Sequence, residues 1–227
     1  MSSFMSLFVK MTDSGSYDLT TGGYVALILL AVVLLLLGNA FFGKRKKFDT
    51  TRLAFAAMAL ALGVVASFIK IFHMPMGGSI TVFSMLFVSI IGYWFGIGAG
   101  LTTAFAYGIL QLMIDPYILS VPQMLIDYIF AFGALGLSGL WSKNKHKYSL
   151  IMAYLTAITG RFVFAVLSGY VFFGEWAPEG WNPLVYSVAY NAGYIYAEGA
   201  LTVVVLLIPA VAKAFNYIRG LALKDEQ

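Results

Sequence analysis

The chain has 227 residues, of which 61% are hydrophobic and only 11% charged, and its mean hydropathy is +0.87. A soluble domain averages about a quarter charged residues, so a water-soluble fold is excluded and the bilayer must serve as solvent. With no cysteine and only His73 and His146, disulfides, thiolate catalysis and cysteine-bound metal centres are excluded as well.

Seven apolar stretches are long enough to cross a bilayer, which takes roughly 17–25 residues: 22–42, 52–72, 79–95, 98–114, 121–141, 149–173 and 183–208. Uninterrupted runs of this kind satisfy their backbone groups as helices rather than barrel strands. The expected fold is an all-α, polytopic membrane helical bundle. The first stretch ends in "GKRKK" without a small-residue cleavage site, which predicts a retained helix rather than a cleaved signal. Between the later spans lie turn sequences: "HMPMGG", "GIGAG", "DPY", "SKNKHK" and "GEWAPEGWNP". "GIGAG" lacks the Lys-Ser/Thr of a phosphate loop and reads as a tight helix connection.

The formal net charge of +4 and the pI near 9.2 do not point to nucleic acid. Eleven of the 14 Lys and Arg residues fall on one side if the loop with Lys44, Arg45, Lys46, Lys47 and Arg52 is cytoplasmic. The exceptions are Lys10, Lys70 and Arg161. The positive-inside rule then predicts the N-terminus outside and the C-terminus in the cytoplasm. On the outer side "HMPMGG" has the glycines and proline of a short loop that folds over an opening.

Polar residues inside the spans are few and fall on helical stripes. Gln123 and Asp127 are i, i+4 neighbours, as are Tyr107 and Gln111. Ser187, Asn191, Tyr194 and Glu198 form one stripe on the last span, with Tyr186 and Tyr190 alongside. Arg161, Ala165, Ser168 and Gly169 share a face of the sixth. A charge at mid-membrane costs about 2.5–3.5 kcal/mol on insertion scales, so each must face protein or water. Arg161 and Glu198, at similar depth on consecutive spans, are expected to pair. Asp127 has no cation at its depth, which marks it for a ligand. No metal cluster, Ser–His arrangement or close carboxylate pair can be assembled, so no enzyme site is expected. The pattern predicts an outward-facing pocket of Tyr, Asn, Gln and one carboxylate, suited to an aromatic, neutral or cationic ligand.

Residues 50–212 resemble the thiamine-specific substrate-binding (S) components of energy-coupling-factor (ECF) vitamin transporters. The resemblance rests on "YILSVPQMLIDY", its continuation "IFAFGALGLSGL", and a second block of "LSGYVFF", "GW" and "YSVAYN". It implies a six-helix vitamin-binding core at 50–212. Residues 1–49 would then be an outer segment, an extra span and a basic linker, and 213–227 a cytoplasmic tail. It also implies that this chain carries no cofactor: ATP would be used by two ATP-binding subunits, joined through a transmembrane coupling protein in a bacterial cell membrane.

Carried over residue by residue, the family's pocket maps onto Asp127 and Tyr128 (its usual Glu-Tyr), Tyr117, Arg161, Gly169, Tyr186 and Asn191. Three positions depart from the pattern: Ala165 stands for a ligand-stacking histidine, Phe173 for a tryptophan found in some members, and a tryptophan of the family's first lid loop is replaced near Gly78. The family's docking signature, two alanines four apart, maps onto Ala54 and Met58, with Ala57 and Ala61 at the same spacing one turn on. Two alternatives stay open. The same architecture could hold a B6 vitamer or a thiamine precursor, or the chain could be a self-sufficient proton-coupled carrier using Arg161, Glu198 and Asp127.

Overall fold

The computed structural model describes residues 5–11, 17–26, 29, 50–144 and 146–223. Most of the first predicted span, 22–42, lies outside the described residues, with 21–26 helical. Before it, β1 (Val9–Met11) and β2 (Tyr17–Leu19) pair antiparallel.

The remainder is a helical bundle with one small hairpin. Its elements are α1 (Thr50–Phe68), β3 (Lys70–His73), β4 (Ser79–Thr81), α2 (Ser84–Phe95), α3 (Ile97–Ile114), α4 (Val121–Trp141), α5 (Ser149–Phe172), α6 (Pro183–Leu206) and α7 (Pro209–Ala222). Helices α1, α3, α4 and α5 are long and apolar enough to cross a membrane. The pair α6–α7, bent by 88°, makes a fifth candidate. The bundle fold predicted from composition is therefore present.

Two predicted spans end differently. The stretch 52–72 stops being helical at Phe68, and 70–73 becomes a strand paired with 79–81. The stretch 79–95 is not a full span: helix begins only at Ser84, after Phe83 takes a left-handed φ of 64°. At 12 residues, α2 is about 18 Å long, well short of the hydrocarbon thickness. It is apolar for a different reason. Ten of its residues are buried, because it runs through the centre of the bundle. Met85, Ile91, Tyr107, Leu135, Tyr154, Ile158 and Ile195 form the packed interior around it.

Helix α4 changes its winding along its length. It opens α-helical, widens to a π turn at Leu125–Phe130, and tightens to a 3₁₀ run at Ala134–Trp141. The 3₁₀ run has a cause in the sequence. Gly133, Gly136 and Gly139 are three apart, so at three residues per turn they form one ridge. A Cβ on them would sit 2.4 Å from Phe105 Cε1, Leu101 N and Ile97 Cα respectively. Those α3 residues are four apart, and the glycine ridge seats directly against them.

Candidate ligand-binding site

The site is built where α3, α4, α5 and α6 meet under the β3–β4 hairpin, around a cavity of about 360 Å³. That volume lies within the usual range for small-molecule pockets. All nine residues singled out as ligand-binding candidates line it: Asp127, Tyr128, Tyr117, Asn191, Tyr186, Arg161, Gly169, Phe173 and Ala165. On α5 the contributors Arg161, Ala165 and Gly169 are four apart, a single stripe that Phe173 continues at the helix's C-cap. On α4 the π turn matters. Widening the helix at Leu125–Phe130 lets two adjacent residues, Asp127 and Tyr128, both reach the cavity wall. The same region presses the Tyr128 carbonyl on α3 at Gly108, where a Cβ would lie 1.9 Å from that oxygen.

Asp127 is held by its i, i−4 neighbour Gln123. Its amide donates to Asp127 Oδ2 at 2.7 Å and to the Tyr117 carbonyl at 3.0 Å, while its oxygen accepts from Leu119 N at 3.0 Å. Both ends of the side chain are thus used, and Gln123 is almost fully buried. The Tyr128 hydroxyl donates to the Asp115 carbonyl at 3.0 Å and accepts from Tyr117 N at 2.7 Å. It ties down the loop carrying Tyr117, whose ring stacks on Phe173 at 5.9 Å. Phe173 in turn touches Trp176 at 5.3 Å.

On α6, Asn191 donates to the Ser187 carbonyl at 2.9 Å and the Ala165 carbonyl at 3.2 Å, and its oxygen accepts from Tyr194 at 2.9 Å. Its amide therefore serves as a strut across the α5–α6 seam. A close approach makes that seam possible: a Cβ on Gly169 would lie 2.2 Å from Ser187 Oγ. Above, the Tyr190 hydroxyl donates to the Pro75 carbonyl and accepts from Gly78 N at 3.2 Å. The hairpin turn bends through Met76 (φ 63°) and Gly77 (φ 94°), and "HMPMGG" covers the cavity. Lys70 pairs with Asp115 at 2.5 Å on the other flank.

The expected Arg161–Glu198 pair does not form. Arg161 lies over the Phe132 ring at 4.1 Å and 5.9 Å from the Tyr194 centroid, facing the cavity. Glu198 points elsewhere, to the start of α2. Its carboxylate accepts from Thr81 Oγ1 at 2.6 Å and Thr81 N at 3.3 Å, and from Ser84 Oγ and Met85 N, both at 3.2 Å. Equal depth did not make the two face each other: a helix N-terminus is itself a partner for a carboxylate.

The profile of the thiamine transporter protein family (Thia_YuaJ) matches residues 53–217. The chain belongs to this family. Its members are transport proteins rather than enzymes, and this chain is a multi-pass membrane protein of that class. The thiamine transporter ThiT of Bacillus subtilis (strain 168) is 34% identical over 164 residues, covering 67% of this chain and 84% of the relative. A solved structure of ThiT from Listeria monocytogenes is similar in fold, with a TM-score of 0.59 at 24% identity, covering 71% of this chain and 96% of that one.

Sequence reasoning left several cavity residues unassigned, among them Gln111, Tyr190, Tyr194 and Phe132. The Tyr107–Gln111 spacing and the α6 polar stripe were signals for three of them. Gln111 carries a buried Nε2 with no hydrogen-bond partner among the described residues, a donor available to a bound molecule. The docking candidates Ala54, Ala57, Met58 and Ala61 lie away from the cavity, exposed on α1 among the described residues.

Proposed function

We propose that this chain is the thiamine-binding subunit of an ATP-driven vitamin importer. It takes thiamine from the outer face and passes it on through a shared coupling module. The carrying observation is the cavity itself: Asp115 on its wall is paired with Lys70, while the Asp127 carboxylate shares the lining with the rings of Tyr117, Phe173 and Tyr186 beneath a hairpin. Thiamine joins an aminopyrimidine, which donates hydrogen bonds, to a cationic thiazolium, which favours aromatic faces. Asp127 would accept from the aminopyrimidine, and Tyr117, Tyr128, Tyr186 and Phe173 would enclose the rings. Asn191 and Gly169 would hold the α5–α6 wall in register, with Arg161 at the cavity's inner end.

The glycine-rich stretch "GIGAG" lacks the Lys-Ser/Thr of a phosphate loop, which supports an energy source in partner subunits. The reading assigns that task to an ECF transmembrane coupling protein with two ATP-binding subunits, docked on the α1 face of Ala54, Ala57, Met58 and Ala61. The orientation that fits has the cavity outside and the basic loops in the cytoplasm. The test is uptake of labelled thiamine into proteoliposomes. Accumulation is expected only when the coupling protein and ATP-binding subunits are co-reconstituted and ATP is supplied. Accumulation by this chain alone under a pH gradient would overturn the importer reading in favour of a proton-coupled carrier.

A further inference from the structure

At the end of the bundle opposite the cavity, α6 stops at Leu206 and α7 turns away by 88°. The bend leaves a groove of about 480 Å³ between the start of α5, the end of α6 and the inner face of α7. Its lining is mixed: Leu150, Ile151, Leu206 and Leu207 are apolar, Lys147 and Arg219 bring positive charge, and no lining residue is acidic.

Arg219 is fixed in place. It donates to the Tyr93 hydroxyl at 2.8 Å and to the Ser142 carbonyl at 2.5 Å, and its guanidinium lies 4.4 Å from the centre of the Tyr93 ring. All of these contacts are neutral. Among the described residues, neither Arg219 nor Lys147 forms an ion pair with a carboxylate. Two cations without a carboxylate partner therefore line the groove, Lys147 with its ammonium 4.6 Å from the centre of the Tyr148 ring. The groove runs into surface that must face hydrocarbon, since Val204 is 62% and Leu207 54% exposed.

We propose that this groove binds one anionic phospholipid. Its phosphate would sit between Lys147 and Arg219, and an acyl chain would lie along Leu150, Leu206 and Leu207. A soluble anion would use the charges and leave the apolar side chains uncovered; a zwitterionic lipid would fill the groove but carry a cation of its own. A basic side chain near an anionic lipid surface contributes roughly fivefold in affinity. A pocket that combines such charges with a chain-sized apolar wall turns general attraction into a defined site.

The test is native mass spectrometry of the full-length protein released from micelles containing equal amounts of phosphatidylglycerol and phosphatidylcholine with identical acyl chains. The wild type should retain a single phosphatidylglycerol in preference to phosphatidylcholine. Lys147→Glu should cut that preference at least fivefold. Lys143→Glu, exposed in the same loop but outside the groove, should keep it. Excess glycerol 3-phosphate should not displace the lipid. Equal retention of the two lipids, equal loss in both variants, or displacement by the soluble phosphate would each overturn the assignment. Circular dichroism of both variants separates loss of the lipid from loss of the fold.

Discussion

Asp127 and Gln123 show how far single residues could be read. Their i, i+4 spacing on an apolar span announced a shared face, and the 2.7 Å hydrogen bond between them follows from it. Asp127→Asn keeps the shape and the bond to Gln123 but removes the charge. A hydrogen bond to a charged group contributes about 1.5–3 kcal/mol. Thiamine affinity measured by calorimetry should therefore fall roughly 10- to 100-fold, with thermal stability little changed; unchanged affinity would remove Asp127 from the site. Arg161 and Glu198 mark the limit of the same reasoning. Depth along a helix can be counted from sequence, but azimuth against a neighbour cannot. Glu198 found its donors in Thr81, Ser84 and Met85, on elements 113 to 117 residues away. Asn191 was legible as a cavity residue, but its use as a strut depends on carbonyls of α5 that no sequence pattern exposes.

Helix boundaries and helix types lie at the next scale. The long spans α3, α4 and α5 match the predicted stretches closely, since hydropathy over some 20 residues is a strong signal. The β3–β4 hairpin was not visible as strands, because Ile71, Phe72 and Ile80 extend the apolar runs on either side and the paired segments are only four and three residues long; only Pro75, Gly77 and Gly78 hinted at a turn. The π and 3₁₀ segments of α4 were hidden because the glycine spacing of three acquires meaning only against the helices it packs on, α3 and, at Gly92, α2. That fit makes a prediction. Gly136→Ala puts a methyl 2.4 Å from the Leu101 backbone nitrogen, a contact that cannot be relieved by rotating a side chain. Overpacking of this kind costs typically 1–3 kcal/mol, so the variant should melt at a clearly lower temperature in detergent. A wild-type melting curve would refute the direct seating of the glycine ridge. The hairpin gives a second prediction. Tyr190→Phe removes both hydrogen bonds that tie the turn to α6, to Pro75 and Gly78, and leaves the ring in place. At about 1 kcal/mol for a neutral bond, thiamine should dissociate roughly 5- to 30-fold faster in stopped-flow chase experiments. An unaltered rate would show that the hairpin does not retain the ligand.

For the whole molecule, the distribution of basic residues predicts the orientation, and the absence of cysteine makes it directly measurable. Glu179→Cys and Lys143→Cys place single thiols on exposed loops at opposite ends of the bundle. A membrane-impermeant maleimide added to intact cells should label the first and spare the second, with both labelled after permeabilisation. The reverse pattern would turn the cavity toward the cytoplasm and contradict uptake from outside.

The central claim is that the cavity under the hairpin holds thiamine, and the most direct test is equilibrium titration of the purified protein followed by tryptophan fluorescence. Trp176 touches Phe173 on the cavity wall, so a ligand stacked there should change its emission. The account predicts a saturable 1:1 change with thiamine that is lost in Trp176→Phe and is not competed by pyridoxine. No saturable response to thiamine, or a response to pyridoxine that thiamine fails to displace, would contradict it. In that case Ala165, where the family resemblance implies a stacking histidine, would mark a site shaped for another vitamin.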